Sequence, residues 1–211
     1  MRASAEVRRR PAQKRGELRV QQILDATEAL ILESGAEAVT TNHIAKRAGV
    51  NVGTLYHFFS NKAEIFLAVL ARASSALETA VAEVNAAPAH EVANAEEWIA
   101  RLIEAQTQTW LARAASVRLY EVLRNQPETN SQIEASDERT IALYCEGLKR
   151  FCPHIARGRR RQVARTVLIM SYALLEDAVF ATTPREQQAR IRGIHPAVRN
   201  YLIDPDSVRI P

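Results

Sequence analysis

Apolar positions along this chain recur at helical spacing, and sustained strand-like alternation does not occur, so the pattern predicts an all-α protein of about nine helices. Val20, Ile23, Leu24, Thr27, Leu30 and Ile31 fall on one stripe that Gly35 closes. Thr40 caps a second helix, with Val39 and Ile44 at the staple positions, and Asn51 caps a third, with Val50 and Leu55 in the same roles. Gly49 supplies the turn between them. A fourth helix opens near Asn61 and Glu64 and carries its apolar residues from Ile65 to Val84.

Beyond Pro88, Asn94 and Glu97 open a helix through Trp98, Leu102, Ile103 and Trp110. A shorter helix holds Leu119, Val122 and Leu123, and residues 128–152 form the next, stopped by Pro153. Residues 159–180 make a long striped helix. Thr183, Pro184 and Glu186 then take the cap, N1 and N3 positions of the last helix, where Gly193 and Pro196 predict a kink or a break.

Composition narrows the class. With 47% apolar and 25% charged residues in 211, the chain reads as soluble and globular. An uninterrupted apolar run of membrane-spanning length is absent, as is a secretory h-region, so a cytoplasmic protein without membrane partners is expected. Cys145 and Cys152 are too few for a disulfide framework, and with His154 they do not make a metal set, so no metal or cofactor is expected. The net charge of +4 is concentrated in residues 1–19, where Arg2, Arg8, Arg9, Arg10, Lys14, Arg15 and Arg19 face Glu6 and Glu17. Residues 1–17 therefore read as a flexible basic arm, either a binder of polyanion phosphates or a solvated tail.

Two short helices joined by a glycine turn, between longer ones, have the spacing of a helix-turn-helix whose second member can enter the DNA major groove. A helical wheel centred on Leu55 puts Phe59 about 40° away and turns Gly53, Thr54, Tyr56 and His57 outward. That arc is aromatic and hydrogen-bonding, with no Glu, Asp or Lys. Gly53 in the first helical turn costs roughly 1 kcal/mol against alanine, a cost that a close approach of the backbone to a partner explains. Lys62, in the first turn of the fourth helix, opposes the helix dipole unless an anion is held there.

The run from Thr40 to Lys62, with Ile44-Ala45, Ala48-Gly49-Val50, Gly53-Thr54-Leu55-Tyr56 and Ser60-Asn61-Lys62 at fixed spacing, resembles the DNA-binding signature of the TetR family of bacterial transcriptional regulators. The resemblance covers residues 18–70. It implies phosphate contacts by Thr40, Thr41, Tyr56 and Lys62, and base contacts by or beside Asn42, Val52, Gly53, Thr54, His57 and Phe58. Many members carry an acidic residue where His43 stands, so the reciprocal capping box of the second helix is lost here. The resemblance further implies a helix-turn-helix domain over residues 18–66, followed by a ligand-binding and dimerisation domain over 67–211. Homodimers would form through residues 159–180 and 184–203, bind a palindromic operator in double-stranded DNA as repressors and be released by a small-molecule effector.

Trp98, Gln106, Trp110, Tyr120, Tyr144, Tyr172 and Glu176, with Cys145 and Asp177, are polar or aromatic residues within apolar helices and form the candidate effector site; each also fits an ordinary core role. Glu176 and Asp177 suit either a cationic effector or arginines across a seam. The arginines at 157, 159, 160, 161 and 165 read as a solvated helix start. A helical enzyme using His57 or His154 as base finds no G-x-S-x-G elbow, H-E-x-x-H motif or phosphate-binding glycine loop, so a non-enzyme is expected. The alternative to a regulator is a helical protein-interaction module that keeps this fold without binding an operator.

Overall fold

A computed structural model describes residues 4–88 and 90–205, with the backbone alone at 4–13 and at 121. Among the described residues there are nine helices and no strand: α1 Ser4–Ser34, α2 Thr41–Ala48, α3 Val52–Phe58, α4 Lys62–Ala86, α5 Ala95–Ala112, α6 Ala114–Arg124, α7 Pro127–Phe151, α8 Arg160–Val179 and α9 Pro184–Ile203. The chain divides into two compact units, Met1–Leu70 and Ala71–Pro211, the division falling within α4.

In the first unit, α2 packs on both α1 and α3. The apolar stripe of α1 supplies buried Ile23, Leu24 and Ile31, which share a core with Val39, Ile44, Leu55, Phe59, Ile65 and Phe66. Arg47 near the end of α2 forks onto the Glu33 carboxylate of α1, with Nη1 donating to Oε1 at 3.0 Å. Its guanidinium pKa is raised by that hydrogen bond and by the neighbouring charge.

Two expectations are corrected by the helix bounds. The flexible arm expected over residues 1–17 is helical from Ser4 and continuous with α1; Arg2 lies outside the described residues, and so do the side chains of Arg8, Arg9 and Arg10. Its Ala, Glu, Arg, Gln and Lys residues are strong helix formers, and they need no apolar stripe to extend a helix already nucleated downstream. The kink or break expected at Gly193 and Pro196 is not a break, since α9 runs through both. Both residues face solvent, where water can satisfy the carbonyl that Pro196 leaves without a donor.

In the second unit α8 is the central helix, packed against α5, α6, α7 and α9. Val163, Val167, Leu168, Leu175, Ala178 and Val179 are buried within the one chain. Four neighbours thus cover most of the apolar stripe of α8, and only Ile169, Ala173 and the half-exposed Met170 and Leu174 remain outward among its apolar residues. α4 has the length and apolar content to cross a membrane. Yet Glu78 on it accepts from Arg139 Nε of α7 at 3.0 Å, while Ala73, Leu77 and Val81 are buried in the core.

Candidate nucleic-acid interface

The geometry of α2 and α3 follows from local chemistry. Thr40 Oγ1 accepts from the His43 amide at 3.2 Å, and Asn51 Oδ1 accepts from the Thr54 amide at 2.6 Å, each satisfying an orphan donor of its helix. Gly49 holds φ +66°, the left-handed stop that ends α2 and lets α3 leave at an angle. Asn61 Oδ1 accepts from the Glu64 amide at 2.9 Å, and Glu64 Oε2 accepts from the Ser60 amide at 2.7 Å, which fixes the start of α4.

This caps-and-turn frame buries Leu55 completely and leaves Tyr56 49% exposed, with Val52, Gly53 and His57 also exposed and Thr54 and Phe58 half-buried. The structure thus brings together Thr40, Thr41 and Asn42 of the α2 start, the outward side of α3 and Lys62. Tyr56 OH and Thr41 Oγ1 lie 3.2 Å apart, so one hydroxyl donates to the other and the phenol is held over the start of α2. Lys62 Nζ donates to Val39 O at 3.1 Å and sits 5.3 Å from the Phe66 ring centroid. An ammonium carries three N–H donors, so the Val39 bond and an anion contact are compatible. The Phe58 ring stands edge-on to His57 at 5.2 Å.

A Cβ at Gly53 would meet only Asn51 Oδ1, at 3.4 Å, an ordinary contact, and Gly53 is not at positive φ. The fold itself does not require glycine there.

One wall of this surface was not legible in the sequence. Arg15, Gly16 and Arg19 of α1 line a groove of about 660 Å³ whose opposite side is Asn51, Gly53, Thr54, His57 and Phe58. The charge run marked both arginines, but only the crossing of α1 past α3 places them beside the outward face.

In the second unit, five of the seven effector candidates converge. Gln106 Nε2 donates to Tyr144 OH, Ser171 Oγ donates to Gln106 Oε1 at 3.0 Å, and all three residues are buried. Tyr120 and Tyr172 stack at 4.2 Å, Trp110 meets Tyr172 edge-on at 4.9 Å, and Tyr120 OH donates to Asp137 Oδ2 at 2.7 Å. Burial raises the Asp137 carboxyl above its ordinary value, more than the Tyr120 bond lowers it, and burial likewise pushes the Tyr144 and Tyr172 phenols up. Ser171 and Asp137 carry no signal in the sequence that sets them apart.

Trp98 lies apart from that cluster. It stacks on Phe151 at 5.6 Å and donates from Nε1 to Asn85 Oδ1 at 3.0 Å. Glu176 is half-buried, and Asp177 Oδ1 accepts from Arg190 of α9 at 2.7 Å within the same chain. Arg165 donates to Glu138 at 3.3 Å, and Arg161 pairs with the same carboxylate. Cys145 and Cys152 are free thiols; burial raises both, Cys152 to about 11. Among the described residues no group of three or more His, Cys, Asp or Glu could hold a metal ion.

Residues 23–69 match the profile of bacterial regulatory proteins of the tetR family. The transcriptional regulator BetI of Serratia proteamaculans is 30% identical over 144 residues, which span 64% of this chain and 70% of that protein. This chain belongs to the tetR family. The transcriptional repressor KstR of Rhodococcus jostii is 48% identical over 54 residues, a stretch that spans 26% of each protein. The same fold extends over most of the chain: the fatty acid degradation regulator FadR of Bacillus halodurans superposes with a TM-score of 0.68 at 20% identity, covering 87% of this chain and 97% of that one.

Proposed function

We infer that this tetR-family protein is a ligand-responsive transcriptional repressor that works in the cytoplasm, binds a palindromic operator as a homodimer and is released by a small-molecule effector. The observation that carries the reading is the exposed, acid-free side of α3, with Tyr56 tied to Thr41 and Lys62 beside it. Thr40, Thr41, Tyr56 and Lys62 would hold phosphates. Asn42, Val52, Gly53, Thr54, His57 and Phe58 would meet base edges or flank them, with Val52 offering an apolar contact to a thymine methyl.

Self-association through α8 and α9 is supported by the exposed Ile169, Phe180 and Ile203. Small residues on the outward side of α9, at Ala189 and Gly193, allow a second copy to approach closely. Effector binding is assigned to the Gln106, Tyr144 and Ser171 network and the Trp110, Tyr120 and Tyr172 rings, where buried hydrogen-bonding groups lie beside aromatic surface. An effector would act by favouring a population whose two heads no longer fit successive major grooves.

Gel retardation of the duplex flanking the protein's own gene tests the reading. Retardation at low salt by the wild type, and its loss on adding the effector, are expected. Folded protein that leaves this duplex unshifted would favour an interaction module instead.

A further inference from the structure

Two arginines of α1, Arg15 and Arg19, line the same groove as the outward side of α3, and the helix-turn-helix signature from Thr40 to Lys62 does not include them. Arg15 and Arg19 are both exposed and one helical turn apart on α1. Gly16 between them faces the Phe58 ring across the groove, whose Cε1 would stand 3.8 Å from a Cβ at that position. Among the described residues no acidic side chain lines the groove. The nearest α1 carboxylate in sequence, Glu17, projects about 200° round the helix from Arg15. Arg19 Nη1 donates to Gln22 Oε1 at 3.1 Å, which props its guanidinium at the groove edge.

We propose that Arg15 and Arg19 grip the phosphate backbone of duplex DNA at the flank of the bases that α3 meets, making α1 a third DNA-contacting helix of this head. The assignment rests on the DNA-binding reading above and adds to it a pair of contacts on a rigid helix. Four residues of helix advance about 6 Å. One strand of a duplex presents a phosphate every 3.4 Å or so along the axis, so two long guanidinium side chains rooted about 6 Å apart can each reach a phosphate of that strand without bending the chain. Arginine suits the task because its planar fork pairs bidentately with phosphate. Phosphate contacts fix register and affinity and carry no base information, so both arginines set how tightly the head sits and leave its sequence choice to α3.

The test compares wild type with the Arg15→Gln/Arg19→Gln double variant and the Arg15→Lys/Arg19→Lys control. Each is titrated at several salt concentrations against a random-sequence duplex and against a duplex enriched by the wild type from a random pool. Because the glutamine variant no longer neutralises two phosphates, its slope of log affinity against log salt should fall by about 1.8 per head on both duplexes. The lysine control should keep the slope, and the enriched sequence should be the same for all three proteins. An unchanged slope in the glutamine variant overturns the proposal, as does a variant that enriches a different sequence, since that would make the arginines base readers. Failure of the wild type to bind either duplex would sink the DNA-binding reading itself, a result distinct from wild-type binding with an unchanged slope.

Discussion

Tyr56 and Lys62 each have a partner within the chain, and substitution tests the phosphate contact proposed for both. The Tyr56 phenol meets Thr41 and faces solvent, so Tyr56→Ala leaves the buried Leu55 and Phe59 in place and should keep the fold. Lys62 also ties the α4 start to Val39 O. For each alanine variant, binding should weaken on specific and random duplexes alike, with the salt slope lowered by about 1 per head in Lys62→Ala and kept in Tyr56→Ala, whose uncharged phenol neutralises no phosphate; an unchanged affinity would remove the phosphate role. His57→Ala should instead shift base preference at one operator position, by on the order of 1 kcal/mol, with bulk affinity to random DNA retained. Recovery of the same site by both proteins would show that His57 does not read. Tyr56 and His57 were legible in the sequence because a helical wheel needs only one anchor, and Leu55 is fully buried as that anchor requires, while Lys62 was marked by its place in the first turn of α4. Arg15 and Arg19 were marked by charge alone, since their place beside α3 depends on how two helices cross.

Element boundaries were legible wherever a side chain satisfies a terminal amide. The caps at Thr40, Asn51, Asn94 and Thr183 each accept the expected bond. Asn51→Ala should cost about 1 kcal/mol, read as a lower urea midpoint, and should weaken DNA binding by fraying the first turn of α3; an unchanged midpoint would show the cap to be redundant. The start of α1 escaped notice because a polar helix carries no apolar period, and the passage of α9 through Pro196 because exposure, which sequence does not state, decides whether the lost bond matters. Gly147 on α7 shows a further blind spot. A Cβ there would collide with Trp98 Cζ2 and stand 2.5 Å from Asn85 Oδ1, so α4, α5 and α7 meet only because that side chain is missing. Gly147→Ala should destabilise the second unit by roughly 1–3 kcal/mol, since Trp98 is fully buried and has little room to shift. A wild-type urea midpoint in that variant would show that the three helices can separate at little cost.

At the scale of the whole molecule, the two units differ in how far chemistry can be read from order along the chain. The first unit is built from neighbours in sequence, with the capped α2 and α3 joined at Gly49, so its outward face follows from local rules. The second gathers Gln106, Tyr144 and Ser171 from α5, α7 and α8, and the sequence could name Gln106 and Tyr144 singly but not their convergence. The central claim belongs to the first unit acting in pairs: the outward face of α3 sits in the major groove, twice, under two-fold symmetry. Selection of a random duplex pool by the wild-type protein tests it most directly. The account predicts an enriched inverted repeat with half-site centres about 10 base pairs, or a multiple of that, apart, recovered at lower affinity by the Tyr56→Ala variant. Enrichment of nothing by folded protein at low salt, or of a site without two-fold symmetry, would contradict it.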